Sequence, residues 1–361
     1  MNTLAEDRPA AGLSVAGLNA IDCDVHPRSP GQADLMPFLD AYWQDMFPYR
    51  GIDRLELVGY PSSARPFNPP GAADAIASAE ALGKALLDPL DLSAAILNLV
   101  NGVQGLYDPY MQAATCGAMN RWLASEWLDR DPRLRASLLV PFRNPEAAAE
   151  EIRRYRDDKR FVQILALSMG EEPLGRRTFW PIYDAAAECG FALCVHSGSA
   201  FRHAPTQSGF PSYLVEDIIH YSQAAANSVA SLLAEGVLDR HPEMTVVMAE
   251  SGASWLFATI WRLAKEWRGI RTEVPWIKSS PEVVIERQVR TTIAPFDAPP
   301  GFDEMPELMG CMGGPDQLLF ATDFPHDYQR DVALWPAEIP ADWAQAVARD
   351  NVLKTYPRLE V

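Results

Sequence analysis

Four acid or imidazole side chains are spaced in this sequence as a divalent cation needs them. In Ile21-Asp22-Cys23-Asp24-Val25-His26 every second residue is polar. Side chains alternate faces along a strand, so Asp22, Asp24 and His26 fall on one face. An Asp-x-His pair at a strand end sets an oxygen beside an imidazole nitrogen, as two ligands of one ion require. Alone, that pair reads more readily as a polar strand end with a capping Asp and a hydrogen-bonded His. Two further runs end the same way: 191–196 (FALCVH) closes on His196 before Ser197-Gly198, and 318–323 (LLFATD) closes on Asp323. Three apolar runs ending in ligand types on one predicted face point to a metal centre of Asp24, His26, His196 and Asp323. An ion held there lowers the pKa of its bound water toward ~7 and polarises a substrate carbonyl.

Such residues need a scaffold that brings strand ends together. Eight short apolar runs, 19–26, 94–100, 134–141, 161–167, 191–196, 245–250, 289–295 and 318–323, suit strands buried on both faces of a parallel sheet. Helical patterns lie between them at 110–130, 145–157, 178–189, 220–236 and 254–268, and again at 341–353. The stretch 145–157 opens on Asn144-Pro145 with acids behind it, and 178–189 stops before Gly190. Eight strands alternating with helices predict an α/β fold, a (β/α)₈ TIM-like barrel, whose active face lies at the C-terminal ends of the strands. Long insertions are expected on that face: a loop over 27–93, and further long segments at 197–219 and 268–288. The chain reads as one domain over 1–361, with residues 1–18 expected to form a flexible N-terminal segment.

Composition excludes several function classes. Lys and Arg total 31 against 48 Asp and Glu, a net charge of -17, which opposes binding to nucleic acid or an anionic membrane. No apolar run approaches a membrane span of ~18 residues. No GxGxxG follows the first strand and no GxxxxGK[ST] occurs, which weakens dinucleotide and P-loop readings. The five cysteines form no CxxC, and the opening MNTLAEDRPAAG lacks the basic and apolar regions of a signal peptide. A reducing, cytoplasmic setting is the expectation.

With Asp24, His26, His196 and Asp323 in these slots, the chain resembles the amidohydrolase superfamily. In particular it resembles the amidohydrolase-related branch that includes aminocarboxymuconate-semialdehyde decarboxylase-like enzymes. The surrounding text fits as well: GVLDRHPEMTVVMAESGASWL, LLFATDFPH and RDNVLKTYPRL, so the resemblance spans about residues 19–358. It implies a barrel, a divalent metal, usually a His on strand six, and a dimer or tetramer. Two departures stand out. Asp24 replaces the commoner His, which preserves a ligand. Glu250 occupies the strand-six slot where decarboxylase relatives have His followed by Gly-Gly; a carboxyl group of ordinary pKa is a poor acid near neutral pH. Superfamily members with two metals often bridge them by a carbamylated Lys on strand four, and 163–168 (QILALS) has none, which argues for one ion.

Other residues complete the expected site. His220, near the start of a predicted helix, could swing over the mouth as acid or base beside Glu250 and Asp323. His326 and Asp22 would orient the ligands. Arg202 and His203 could hold an anionic substrate, while Trp43, Phe47 and Tyr49 could line an aromatic pocket. His241 would lie at the opposite end of the barrel. Trp122, Trp127, Trp261 and Trp267 fall at helical spacing and read as packing residues. The preferred reading is a metal-dependent hydrolase of a small amide, ester or lactone using one Zn²⁺, with Mn²⁺ as the alternative ion because two carboxylates make a harder site. The rival reaction is non-oxidative decarboxylation of a small aromatic or unsaturated acid. A hydratase and a non-catalytic metal-binding barrel are the remaining readings.

Overall fold

The computed structural model describes residues 14–52, 55, 68–199, 209, 211–297, 304–310, 314–326, 335–336 and 339–361. Each apolar run forms or opens a strand: β1 (Ile21–Val25), β2 (Ala94–Leu97), β3 (Leu134–Leu139), β4 (Phe161–Met169), β5 (Ala192–Ser199), β6 (Val246–Ala249), β7 (Val289–Thr292) and β8 (Leu318–Leu319). Neighbours pair in parallel and in chain order. The ring closes past the short β8. Cys23 N donates to Phe320 O and Asp323 N to Asp24 O, each at 3.0 Å, and Val25 bridges Phe324 in parallel. The architecture is a (β/α)₈ barrel.

The strands read as unbroken apolar runs because both faces are buried. Ile21, Ala94, Val162, Ala192, Val247 and Leu319 share one cluster with Val352, Tyr356 and Leu359. Strands on opposite sides of a ring can meet only across its interior, so this cluster fills the barrel and the C-terminal segment packs against it. A larger cluster joins the strands to the surrounding helices.

The intervening helices are Pro109–Leu123, Pro145–Arg154, Trp180–Cys189, Leu214–Ala234 and Ser254–Ile270, as their apolar spacing predicts. Asn144 caps the second through Ala147 N at 3.1 Å, and Gly190, with φ +74°, ends the third. Three expectations need correction. The segment 27–93 is not simply a loop; its described part carries the helix Ala41–Arg50 and shorter ones. That helix forms because Asp40 accepts from Trp43 N at 3.1 Å and left-handed Gly51 closes it. The segment 268–288 contains the helix Pro281–Gln288. The helix read from 220 begins at Leu214, so His220 lies inside it.

At the N-terminus Val15 is fully buried and Leu18 packs on the core, which anchors residues 14–18 that the sequence reading assigned to a flexible segment. Trp122 and Trp127 are core residues, whereas Trp261 is 52% exposed and is not the packing residue its spacing suggested. Among the described residues, no helix is long and apolar enough to cross a membrane.

Candidate metal centre

The ends of β1, β5, β6 and β8 bring six potential donors together. Ligand atoms of Asp24, His26 and His196 lie within 4.8 Å of one another, and so do those of His26, Glu250, Asp323 and His326. His26 belongs to both groups, so the two sets form one continuous cluster. All but His326 are buried.

Each side chain is aimed by its neighbours. His26 Nδ1–H donates to Asn98 O at 3.2 Å, which turns Nε2 to within 2.9 Å of Asp323 Oδ1 and 3.4 Å of Asp24 Oδ1. His196 Nδ1–H donates to Ser197 O at 2.7 Å, leaving Nε2 3.3 Å from Asp24 Oδ1. His326 stacks on His26, ring centroids 4.4 Å apart, and its Nδ1 sits 2.9 Å from Asp323 Oδ1 and 4.0 Å from Glu250 Oε1. Asp22 stands apart from the donor groups. It clips β1 to the end of β8, accepting from Thr322 Oγ1 at 2.6 Å and Thr322 N at 3.1 Å, immediately before Asp323.

Two carboxylates sit on strained backbone. Glu250 and Asp323 have φ of 54° and 57°, a left-handed conformation that non-glycine residues adopt at a cost. Glu250 directly follows the last residue of β6, and Asp323 lies four residues past β8, so in both cases the strained residue stands beyond a strand's C-terminal end. The main chain at Glu250 is fastened on either side: its N–H donates to Thr292 Oγ1 at 3.1 Å and its carbonyl accepts from Ser197 Oγ at 2.7 Å.

The electrostatics are those of a site for positive charge. Burial disfavours a charged Asp24, but His196 and His26 outweigh it and hold the carboxyl well below the usual range. Burial likewise opposes the His196 cation, yet Asp24 and Glu250 push it up to about 10. Asp323 and Glu250 similarly raise His326 to about 9 against burial. His26 is lowered, by burial and by repulsion from His326, and favours the neutral form that ligates metal. Glu250 is raised to about 8 by burial and by the Asp323 charge. The objection that a carboxyl group here is too strong an acid to keep a proton near neutrality assumed an ordinary pKa, and this environment removes that assumption.

The donor set fits a divalent ion. Asp24 Oδ2 and Asp323 Oδ2 are both buried without a hydrogen-bond partner. A bare buried carboxylate oxygen is costly unless something positive meets it. An ion held by these oxygens together with His26 and His196 would satisfy both.

Other sequence-stated positions fall elsewhere. Arg202 and His203 lie outside the described residues. Trp43 and Phe47 are buried in the hydrophobic core, because their helix turns that face inward, and Tyr49 is 84% exposed; none of the three forms an aromatic wall at the mouth. His220 has a buried Nδ1 without a partner, and its charge acts on Asp217. The next residue, Tyr221, is the one that feels the site: burial, then the charges of Glu250, Asp217 and Asp323, hold its phenol protonated well above the usual value. One residue along a helix turns a side chain by about 100°, since 3.6 residues complete a turn. His241 pairs with Asp184 at 2.9 Å ahead of β6, away from the cluster. Sequence reasoning missed Tyr221 and Asn98; neither carries a local motif.

Comparison with known proteins gives a consistent picture. The family described as Amidohydrolase matches residues 21–358. A gamma-resorcylate decarboxylase of Polaromonas sp. (strain JS666 / ATCC BAA-500) is 22% identical over 267 residues, 69% of this chain and 78% of that protein. A gamma-resorcylate decarboxylase of Rhodococcus jostii (strain RHA1) is 24% identical over 264 residues, 69% of this chain and 78% of that protein. Among solved structures, an amidohydrolase from Mycobacterium avium subsp. paratuberculosis K-10 has a TM-score of 0.71 at 22% identity, covering 95% of this chain and 98% of the other. A 5-carboxyvanillate decarboxylase from Novosphingobium aromaticivorans DSM 12444, complexed with manganese and 4-hydroxy-3-methoxy-5-nitrobenzoic acid, has a TM-score of 0.69 at 18% identity, covering 94% and 96%. These structures share the fold.

Proposed function

Because the chain belongs to the amidohydrolase family, we propose that it is a single-domain, divalent-metal-dependent enzyme that decarboxylates a small aromatic acid without oxidation. The observation that carries this reading is the likeness to aromatic-acid decarboxylases over about two thirds of the chain. It favours the rival of the sequence-based preference, and hydrolysis of an ester, amide or lactone becomes the second reading.

Asp24, His26, His196 and Asp323 would hold one divalent ion, which when bound would supply the positive charge that anchors and polarises an anionic substrate. Zinc was the sequence preference. The two carboxylate oxygens and the manganese in related structures support Mn²⁺ instead. In the reaction the substrate's carboxylate leaves as carbon dioxide, its bonding pair stays on the ring carbon, and a proton replaces it there. Glu250, Asp323 and His326, within hydrogen-bonding or near reach of one another, form the group that stores and delivers that proton. The Tyr221 phenol lies within the electrostatic reach of Glu250 and Asp323.

The expected homo-oligomer is supported by the exposed apolar side chains Tyr213, Val215 and Ile219 at the start of the helix Leu214–Ala234. Light scattering would test it. A cytoplasmic setting is supported by the free thiols of Cys23, Cys116, Cys189 and Cys194.

The deciding experiment uses purified protein loaded with Mn²⁺ or Zn²⁺. Carbon dioxide release from 2,6-dihydroxybenzoate, 5-carboxyvanillate and other hydroxybenzoates is compared with turnover of an ester and lactone panel. Decarboxylation without ester turnover is expected. Hydrolysis without carbon dioxide release would overturn the proposal in favour of the second reading.

A further inference from the structure

We infer that Asn98, at the end of β2, is the positioning residue of the metal centre, and that Ser137 and Gln163 fix the direction of its amide. The inference rests on the reading of the cluster as a divalent-metal site, and concerns how two of its ligands are aimed.

Asn98 meets both β1 ligands. Its side-chain Nδ2 donates to Asp24 Oδ1 at 2.7 Å, and its main-chain carbonyl accepts from His26 Nδ1 at 3.2 Å. The first bond occupies one carboxylate oxygen and leaves Asp24 Oδ2 as the unpartnered one. The second places the His26 proton on Nδ1, which leaves Nε2 as the ligating nitrogen. One residue thus engages Asp24 Oδ1, the oxygen nearest both imidazoles, leaves Oδ2 open to a ligand, and selects which nitrogen of His26 faces the cluster.

An amide can serve this role only if it cannot flip. Asn98 Oδ1 accepts from Ser137 Oγ at 2.5 Å and from Gln163 Nε2 at 3.2 Å, and Gln163 Nε2 also donates to Ser137 Oγ at 2.8 Å. On the other side, Asn98 Nδ2 donates to Cys23 O at 3.3 Å as well as to Asp24. A flipped amide would set its oxygen against a carboxylate and a carbonyl, and its NH₂ against the amide hydrogens of Gln163. Asn98, Ser137 and Gln163 are each fully buried, so bulk solvent does not reach the mismatch. The chain runs through β2, β3 and β4.

The test measures metal affinity by chelator competition, with Mn²⁺ as the probe, alongside the Tm of the metal-free protein. Asn98→Ala is expected to weaken Mn²⁺ binding by ~10–100-fold. Ser137→Ala is expected to weaken it less, since it only loosens the amide. The double variant should bind no more weakly than Asn98→Ala alone, because Ser137 acts through Asn98. A role confined to packing would lower the Tm of the metal-free protein and leave affinity alone, and that result overturns the inference. So do losses that multiply in the double variant. If Asn98→Ala does not fold, Ser137→Ala and Gln163→Met decide: wild-type affinity in both overturns the inference, and a loss in either upholds it. A wild-type protein that binds no divalent ion would sink the metal-site reading itself, an outcome distinct from unchanged affinity in the variants.

Discussion

At the scale of single residues, the centre is a set of carboxylates whose charge must be met by protons or by a metal. His196 and Asp323 belong to the proposed ligand set, and neither contributes a large apolar surface to the core. His196→Ala and Asp323→Asn are therefore expected to lose tight Mn²⁺ binding and turnover while keeping the far-ultraviolet circular dichroism of the wild type. Retained binding in either variant would remove that residue from the set. Glu250 has a different place, on strained backbone beside His326 and Asp323. Glu250→Gln keeps shape but cannot carry the proton, so kcat should fall by ~10²–10⁴. KM should change little, because the loss lies in proton transfer. A variant with normal kcat would assign proton delivery to His326 or Asp323 instead.

At the scale of elements, the strands and the turns behind them hold these residues in place. The turn after β6 is a tight case. Gly252 has φ +73°, and a Cβ there would stand 2.5 Å from Asp297 Oδ2. The space is full because Asp297 Oδ1 accepts from Ala253 N at 2.8 Å and Ser254 N at 3.0 Å, capping the helix Ser254–Ile270 from the segment after β7. Gly252→Ala meets both an unfavourable φ and a carboxylate that cannot retreat without breaking the cap. It is expected to cost about 1–3 kcal/mol of stability, read as a lowered midpoint in urea. Because Glu250 lies two residues upstream, kcat should fall as well. An unchanged midpoint would show that the turn is more plastic than its contacts indicate.

At the scale of the whole molecule, the buried ionisable groups couple folding to pH. Against model values of 6.5 for His and 4.5 for Glu, His196 stands at about 10, His326 at about 9 and Glu250 at about 8. Asp22, buried like them, is raised from 3.8 to about 7. All four shifts have the same consequence: between about pH 5 and 10 the folded metal-free chain holds more protons than the unfolded one. For the two histidines, stabilisation is complete below pH 6.5 and lost as the pH rises through 9 and 10. For the two acids, a penalty builds up above their unfolded values and levels off near pH 7 and 8. Asp24, held low, acts oppositely, but only at acid pH. The Tm of the metal-free protein is thus expected to fall steadily from pH 6 to pH 9. Saturating Mn²⁺ should raise the Tm and flatten the dependence, since the ion takes the place of the protons. A metal-free Tm that rises over this range would contradict the cluster's electrostatics.

The barrel was legible in the sequence because a parallel strand buried on both faces must be apolar along its whole length, and a run such as 134–141 or 191–196 shows this without reference to any other part of the chain. Asp24, His26, His196 and Asp323 were legible for a related reason: each interrupts or ends such a run with a group that burial would otherwise exclude. The same local reading failed for Trp43 and Phe47, since an aromatic on an amphipathic helix looks alike whether it faces a pocket or the core. It also passed over Tyr221, the neighbour of His220, whose phenol feels the charges of Glu250 and Asp323. The orienting contacts lay further out of reach. Asp22 meets Thr322 across 300 positions, and Asn98 meets Asp24 across 74 and Gln163 across 65. The raised pKa of Glu250 likewise needs Asp323 beside it. Periodicity and residue type report what each residue requires of its surroundings; only closure of the barrel decides which distant side chains supply it.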